Sequence, residues 1–256
     1  MSHPPFSEIR PNARVLAPVT LQPLLHILTL MHKFEMDTIR QQLISSIENG
    51  WPSTLSQWDA FELYVEARTR VLRDGFHSDL ICGIHQLDDL FPEPAAAIHL
   101  ACECGLPNII PAAFYHLSRL SIYDDWDEIR QSTDIPDYAQ PSARWALLTG
   151  KHFLCLIKGQ KRIRHTIGDL LRLASIINNC SDPTCRAGEF VDEVVQKCTR
   201  SNDILRLTRL YVQDITQKRQ LCSECLFDIR SRLLTFRQQF WDKLPDIFSI
   251  EYQMFP

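Results

Sequence analysis

Four cysteines stand in two closely spaced pairs toward the C-terminal end of the chain, Cys180-x4-Cys185 and Cys222-x2-Cys225. A Cys-x2-Cys pair can point two sulfurs at one ion, and zinc takes four such ligands tetrahedrally at about 2.3 Å. Residues 181–184, "SDPT", read as a turn that lets Cys180 and Cys185 supply the other half of the set. An ion held this way is a structural zinc that joins a loop to the helix starting at Cys222. Against sharing, Cys222 and Cys225 open an amphipathic segment where each can simply pack as a small hydrophobe. A single spacing is a weak motif, so separate thiols are the favoured reading from sequence.

Other groups carry less. "KGQKRIRH", with Lys158, Lys161, Arg162, Arg164 and His165, is the densest basic run. It offers contacts to phosphates or an acidic partner, but it lacks the interleaved aromatics that stack bases, and a solvated helix junction accounts for it. "LLTGKHF" ends like a phosphate loop, yet the first Gly is missing and His152 replaces Ser or Thr, so it reads as a helix passage. His99 and Cys102 lie three apart on a helix with no further ligand in view. Asp124, Asp125, Asp127 and Glu128 resemble a helix start, where carboxylates offset the helix dipole. The chain contains no Gly-x-Ser-x-Gly, no His-Glu-x-x-His and no zinc-deaminase signature. No catalytic residue is assigned, and the expectation is a non-enzyme.

These residues need elements to hold them, and composition points to helices. Eight Gly in 256 residues is few, and the apolar residues recur with a 3.6 period, not in alternation. The net charge of −4 argues against an extended nucleic-acid footprint. No run of about 18 apolar residues is present, so no membrane span is expected. "MSHPPFSEIRPNARVLAP" has prolines and charge where a signal peptide carries an apolar core. Nine cysteines then belong in a reducing setting, and an intracellular protein, cytoplasmic or nuclear, is expected.

Residues 1–18 read as a flexible tail. Helices are expected at 20–32 and 35–49, with Phe34, Ile39 and Leu43 on one face of the second, and Gly50 and Pro52 stopping it. Ser53 or Thr54 caps a helix bearing Trp58, Phe61, Leu63, Tyr64 and Val65. A short helix at 78–90 is followed by an αα-hairpin at 93–104 and 108–120, turned at Gly105 and Pro107. A linker spans 130–141. Ser142 opens a helix through residue 160, and others follow at 161–177, 187–198, 202–217 and 222–243, the last closed by Pro245. On that last helix Ile229, Leu233, Phe236, Phe240 and Leu244 form an apolar stripe with Trp241 beside it. Arg230, Arg232, Arg237 and Gln238 should face water. The expected fold class is all-α, an irregular domain of about 8–10 helices by this periodicity.

The stretch "LLHILTLMHKFEMDTIRQQLISSI", with His32, Lys33 and Phe34 at the step between its helices, resembles the last helix pair of BTB/POZ domains. "AIHLACECGLPNIIPAAFYHLSRL" and "LCSECLFDIRSRLLTFRQQFWDKLPDIF" resemble the helical region after the BTB fold in a large fungal family of BTB proteins. The resemblance covers residues 20 to 250 in patches. It implies a BTB-like helix pair at 19–50, then a helical region over 51–256 packed as one unit. A complete BTB fold places its β-sheet and first helices before such a pair, but here only residues 1–18 precede it. The dimerisation strand is therefore missing from the implied fold, and no BTB-type homodimer is expected. The function implied is a protein–protein interaction module, scaffold or ligase-adaptor-like, with a partner unspecified. The alternative is a nuclear regulator touching nucleic acid through the basic segment.

Overall fold

The structure, a computed structural model, describes residues 37–73, 92–131, 141–177, 180, 182–215 and 221–250. Among these the chain is helical and forms no strand or sheet, as the periodicity requires. It divides into two compact units between Gly150 and Lys151. The single packed unit expected over 51–256 is thus replaced by two. The helix expected at 20–32, the short one at 78–90 and most of the 130–141 linker lie outside the described residues.

The first unit opens with α1 (Asp37–Asn49) and α2 (Leu55–Arg73). On α1 the buried residues are Ile44 and Ile47, whereas Ile39 is 45% exposed. Of the expected face, Ile39 is thus exposed, and Phe34 lies outside the described residues. Thr54 caps α2: its Oγ1 accepts from Gln57 N, while Gln57 Oε1 accepts from Ser53 N. This reciprocal pair satisfies donors that the first helical turn leaves open. Trp58, Phe61 and Val65 are buried, and Leu63 is exposed.

The hairpin of α3 (Pro94–Cys104) and α4 (Ile110–Ser118) forms as the sequence expects. Glu93 caps α3, its two carboxylate oxygens accepting from Ala95 N and Ala96 N. Gly105 ends α3 in the left-handed region at φ 68°, and Leu106 N donates back to Ala101 O. Only a residue without a Cβ reaches that φ without strain. Ala95, Ala97, Ala101, Ala112 and Ala113 are fully buried, so small side chains let the two helices approach closely. Arg119, at the end of α4, pairs with Glu62 of α2 and lies over the rings of Trp58 and Tyr115.

Asp125 starts α5 (Trp126–Gln131), its Oδ1 accepting from Asp127 N and Glu128 N. The acidic cluster is a helix start, as expected. The helix expected from Ser142 does not form. Ala143 N donates to Asp124 O and Arg144 N to Glu93 Oε1, so these amides are taken by acceptors outside any helix. A single 3₁₀ turn follows at Trp145–Leu147.

α6 (Gly150–Ile177) leads into the second unit as one uninterrupted helix. The two helices expected at 142–160 and 161–177 are therefore one, starting later. Gly159 lies within it, where a Cβ would meet Phe248 Cδ1 at 2.1 Å. The glycine makes room for a fully buried ring and does not end the helix. α7 (Ala187–Thr199) and α8 (Ile204–Asp214) pack on each other, and both pack on α9 (Ser223–Asp242). Pro245 does not simply close α9. It lies in the first turn of a further short helix, α10 (Leu244–Phe248).

The stripe along α9 and into α10 is buried throughout: Ile229, Leu233, Phe236, Phe240 and Leu244 are at most 6% exposed, with Trp241 beside them at 7%. Arg230 and Gln238 face water, and Arg232 pairs with Asp228. Arg237 departs from expectation, being 2% exposed, with its Nη1 donating to Leu205 O of α8. A guanidinium that finds a carbonyl inside the core can be buried where polarity alone predicts exposure.

Candidate metal centre

Cys180, Cys185, Cys222 and Cys225 come together in the second unit, with all four sulfurs within 4.8 Å of one another. Sequence spacing favours separate thiols; the fold instead makes them one cluster. α7 and α8 run out and back between the two pairs, which closes the 37-residue separation of Cys185 and Cys222.

Each half of the cluster is built locally. In "DPTC", Cys185 N donates to Asp182 O at 3.1 Å, a β-turn with Pro183 at the position that proline's fixed φ favours. Asp182 Oδ1 accepts from Thr184 N and Thr184 Oγ1, which tightens the turn and holds the carboxyl below its usual pKa. Cys222 is the N-cap of α9, in extended conformation, and its Sγ accepts from Cys225 N at 3.5 Å. A sulfur here fills the place more often taken by Ser, Thr, Asp or Asn. The x2 spacing puts Cys225 one helical turn on from Cys222, so both sulfurs point to the same end of α9.

The halves meet through sulfur. Cys222 N donates to Cys185 Sγ at 3.4 Å, and Cys180 Sγ lies 3.7 Å from Cys222 Sγ. That separation is far beyond a disulfide's roughly 2.05 Å. It agrees with the sulfur–sulfur edge of about 3.8 Å in a tetrahedron with 2.3 Å metal–sulfur bonds. Desolvation works against an anion at Cys185, but hydrogen bonds from the amides of Cys222 and Ala187 hold its pKa below the usual thiol value. Desolvation, then the neighbouring sulfurs, push Cys225 up. Without a cation so compact a set cannot ionise throughout, since like charges this close disfavour one another. A divalent ion removes that conflict, because thiolate is the form that binds it.

The cluster is the one group of three or more His, Cys, Asp or Glu residues, among those described, whose ligand atoms converge in this way. His99 and Cys102 stay a half-buried pair on α3. Gly150 and Lys151 are exposed in the first turn of α6, consistent with a helix passage. The basic run lies inside α6, not at a junction, and all five of its charged or titratable side chains are exposed. Arg162 is engaged within the fold: its Nη1 donates to Asp246 O, Ile247 O and Ser249 Oγ at the end of α10. Asp246 O and Ile247 O lie at the C-terminal end of that short helix, the negative end of its dipole.

Sequence reasoning missed Glu93. It is 1% exposed, and burial raises its pKa to about 7 despite hydrogen bonds from Arg144, Ala96 and Ala95. The signal was present, an acid directly before Pro94 at a helix start. His116 was missed too. It is fully buried against Trp51, Trp58 and Phe61, and desolvation followed by the Arg119 charge holds it neutral.

Among the described residues no helix is long and apolar enough to cross a membrane. No protein-family model matches the chain, and no curated protein or solved structure does.

Proposed function

We propose that this chain is a non-enzymatic helical protein-interaction module whose second unit is stapled by one structural zinc ion on Cys180, Cys185, Cys222 and Cys225. The observation that carries the zinc assignment is the convergence of four thiol sulfurs within 4.8 Å of one another. Four thiolates complete zinc's coordination and leave no open position for substrate or water, which is the arrangement of a structural site. The ion joins the turn at 182–185 to the start of α9, whose apolar stripe holds the unit together.

The interaction role is supported by the resemblance to the helical region after the BTB fold. It is supported also by large apolar side chains in water: Phe227 (75% exposed) and Leu234 (47%) on α9, and Leu154 and Ile157 on α6. A set of four free thiols supports the reading of an intracellular protein in a reducing compartment. Metal analysis of the full chain, purified without chelator, tests the staple: about one zinc per chain is expected from a single tetrahedral site. The interaction role is tested by a partner captured by the wild type and lost on Phe227→Glu with zinc content unchanged. Loss of capture together with loss of zinc would show damage to the fold and would count against that surface.

A further inference from the structure

The zinc reading leaves open what the site does when its surroundings turn oxidising, and four features of the cluster bear on that. All four sulfurs belong to half-buried residues, so a small oxidant reaches them without unfolding the unit. The other cysteines of this unit, Cys155 and Cys198, are 0% exposed, and burial pushes the Cys198 thiol up to about 12. Cys180 and Cys222 sulfurs lie 3.7 Å apart, so a disulfide needs them to close by about 1.7 Å. Finally, these two lie on opposite sides of the join, one before the turn and one at the N-cap of α9. The hydrogen bond that crosses between the two halves, from Cys222 N, ends on a sulfur.

We infer that Cys180 and Cys222 form a peroxide-oxidisable pair, whose disulfide expels the zinc while keeping the loop tethered to α9. The inference rests on the zinc reading above. One thiolate sulfur attacks a peroxide oxygen; the O–O bond breaks, hydroxide leaves, and a sulfenic acid forms. The second thiolate attacks that sulfur, the S–S bond forms as the S–O bond breaks, and a second hydroxide leaves. Two thiolates have then lost two electrons to the peroxide, and two protons from solvent turn the hydroxides into water. Cys185 and Cys225 retain half of the donor set, and the ion passes to any competing chelator. A thiol reductant reverses the step by exchange, and added zinc restores the tetrahedron.

The test uses the full chain with its zinc bound, treated with hydrogen peroxide in the presence of a chromogenic zinc chelator, followed by peptide mapping after alkylation. The expected result is zinc release in proportion to peroxide, with Cys180 joined to Cys222 and with Cys155 and Cys198 still reduced. Reductant plus zinc should then restore the original metal content. Zinc retained under a large excess of peroxide would overturn the inference and leave the structural site standing. So would release accompanied by sulfinic or sulfonic acids without the disulfide. A chain that binds no zinc at all would overturn both readings, so the two failures are distinct.

Discussion

Glu93 shows how one side chain sets a pH dependence. Its carboxyl titrates near 4.5 in the unfolded chain and at about 7 in the fold, because burial disfavours the anion. Between those values the folded state binds more protons than the unfolded one, so this group's contribution to stability falls as pH rises from 4.5 to 7 and is flat above. The full swing is about 3 kcal/mol. Glu93→Gln keeps one acceptor oxygen for the α3 cap and cannot titrate. In denaturation followed by tryptophan fluorescence, wild type should lose stability relative to this variant between pH 5 and pH 8; equal slopes would refute the assignment. Arg237 makes a second case. Removing a buried guanidinium bonded to Leu205 O should cost about 2 kcal/mol, a charged hydrogen bond's worth, while Arg230→Ala in water should be near neutral. Neither residue was legible from its type alone, since burial of a charge depends on a distant carbonyl or amide that sequence does not place.

Elements were more legible, because periodicity and caps are local. The α3–α4 hairpin followed from Gly105 and two prolines, and the α9 stripe from spacings of three and four. Phe236→Ala should therefore destabilise the second unit by about 3–5 kcal/mol. Arg232→Ala should change little, because its partner Asp228 lies one turn away at the surface. Equal effects in thermal unfolding would mean that α9 is not docked through this stripe. Gly159 sits in mid-helix for a physical reason. In isolation a mid-helix glycine costs about 1 kcal/mol relative to alanine. Here the ring of Phe248 occupies the space. Gly159→Ala should thus destabilise, by about 1–3 kcal/mol as overpacking does, against the gain that helix propensity alone would give. A rise in melting temperature would contradict the packing.

At the scale of the whole molecule, the sequence could not weigh the cysteines correctly. The x2 and x4 spacings place two sulfurs each, but whether the pairs meet depends on α7 and α8 returning as a hairpin over the 37 residues from Cys185 to Cys222. That is a tertiary fact, and the same limit hid the division of the chain at Gly150 and Lys151. Zinc-edge X-ray absorption on the full chain, purified without chelator, tests the metal centre most directly. The expected result is about one zinc per chain with four sulfur neighbours near 2.3 Å, reduced to a small fraction of that content in Cys222→Ser. Absence of zinc, a nitrogen- or oxygen-containing shell, or undiminished zinc in the variant would contradict it.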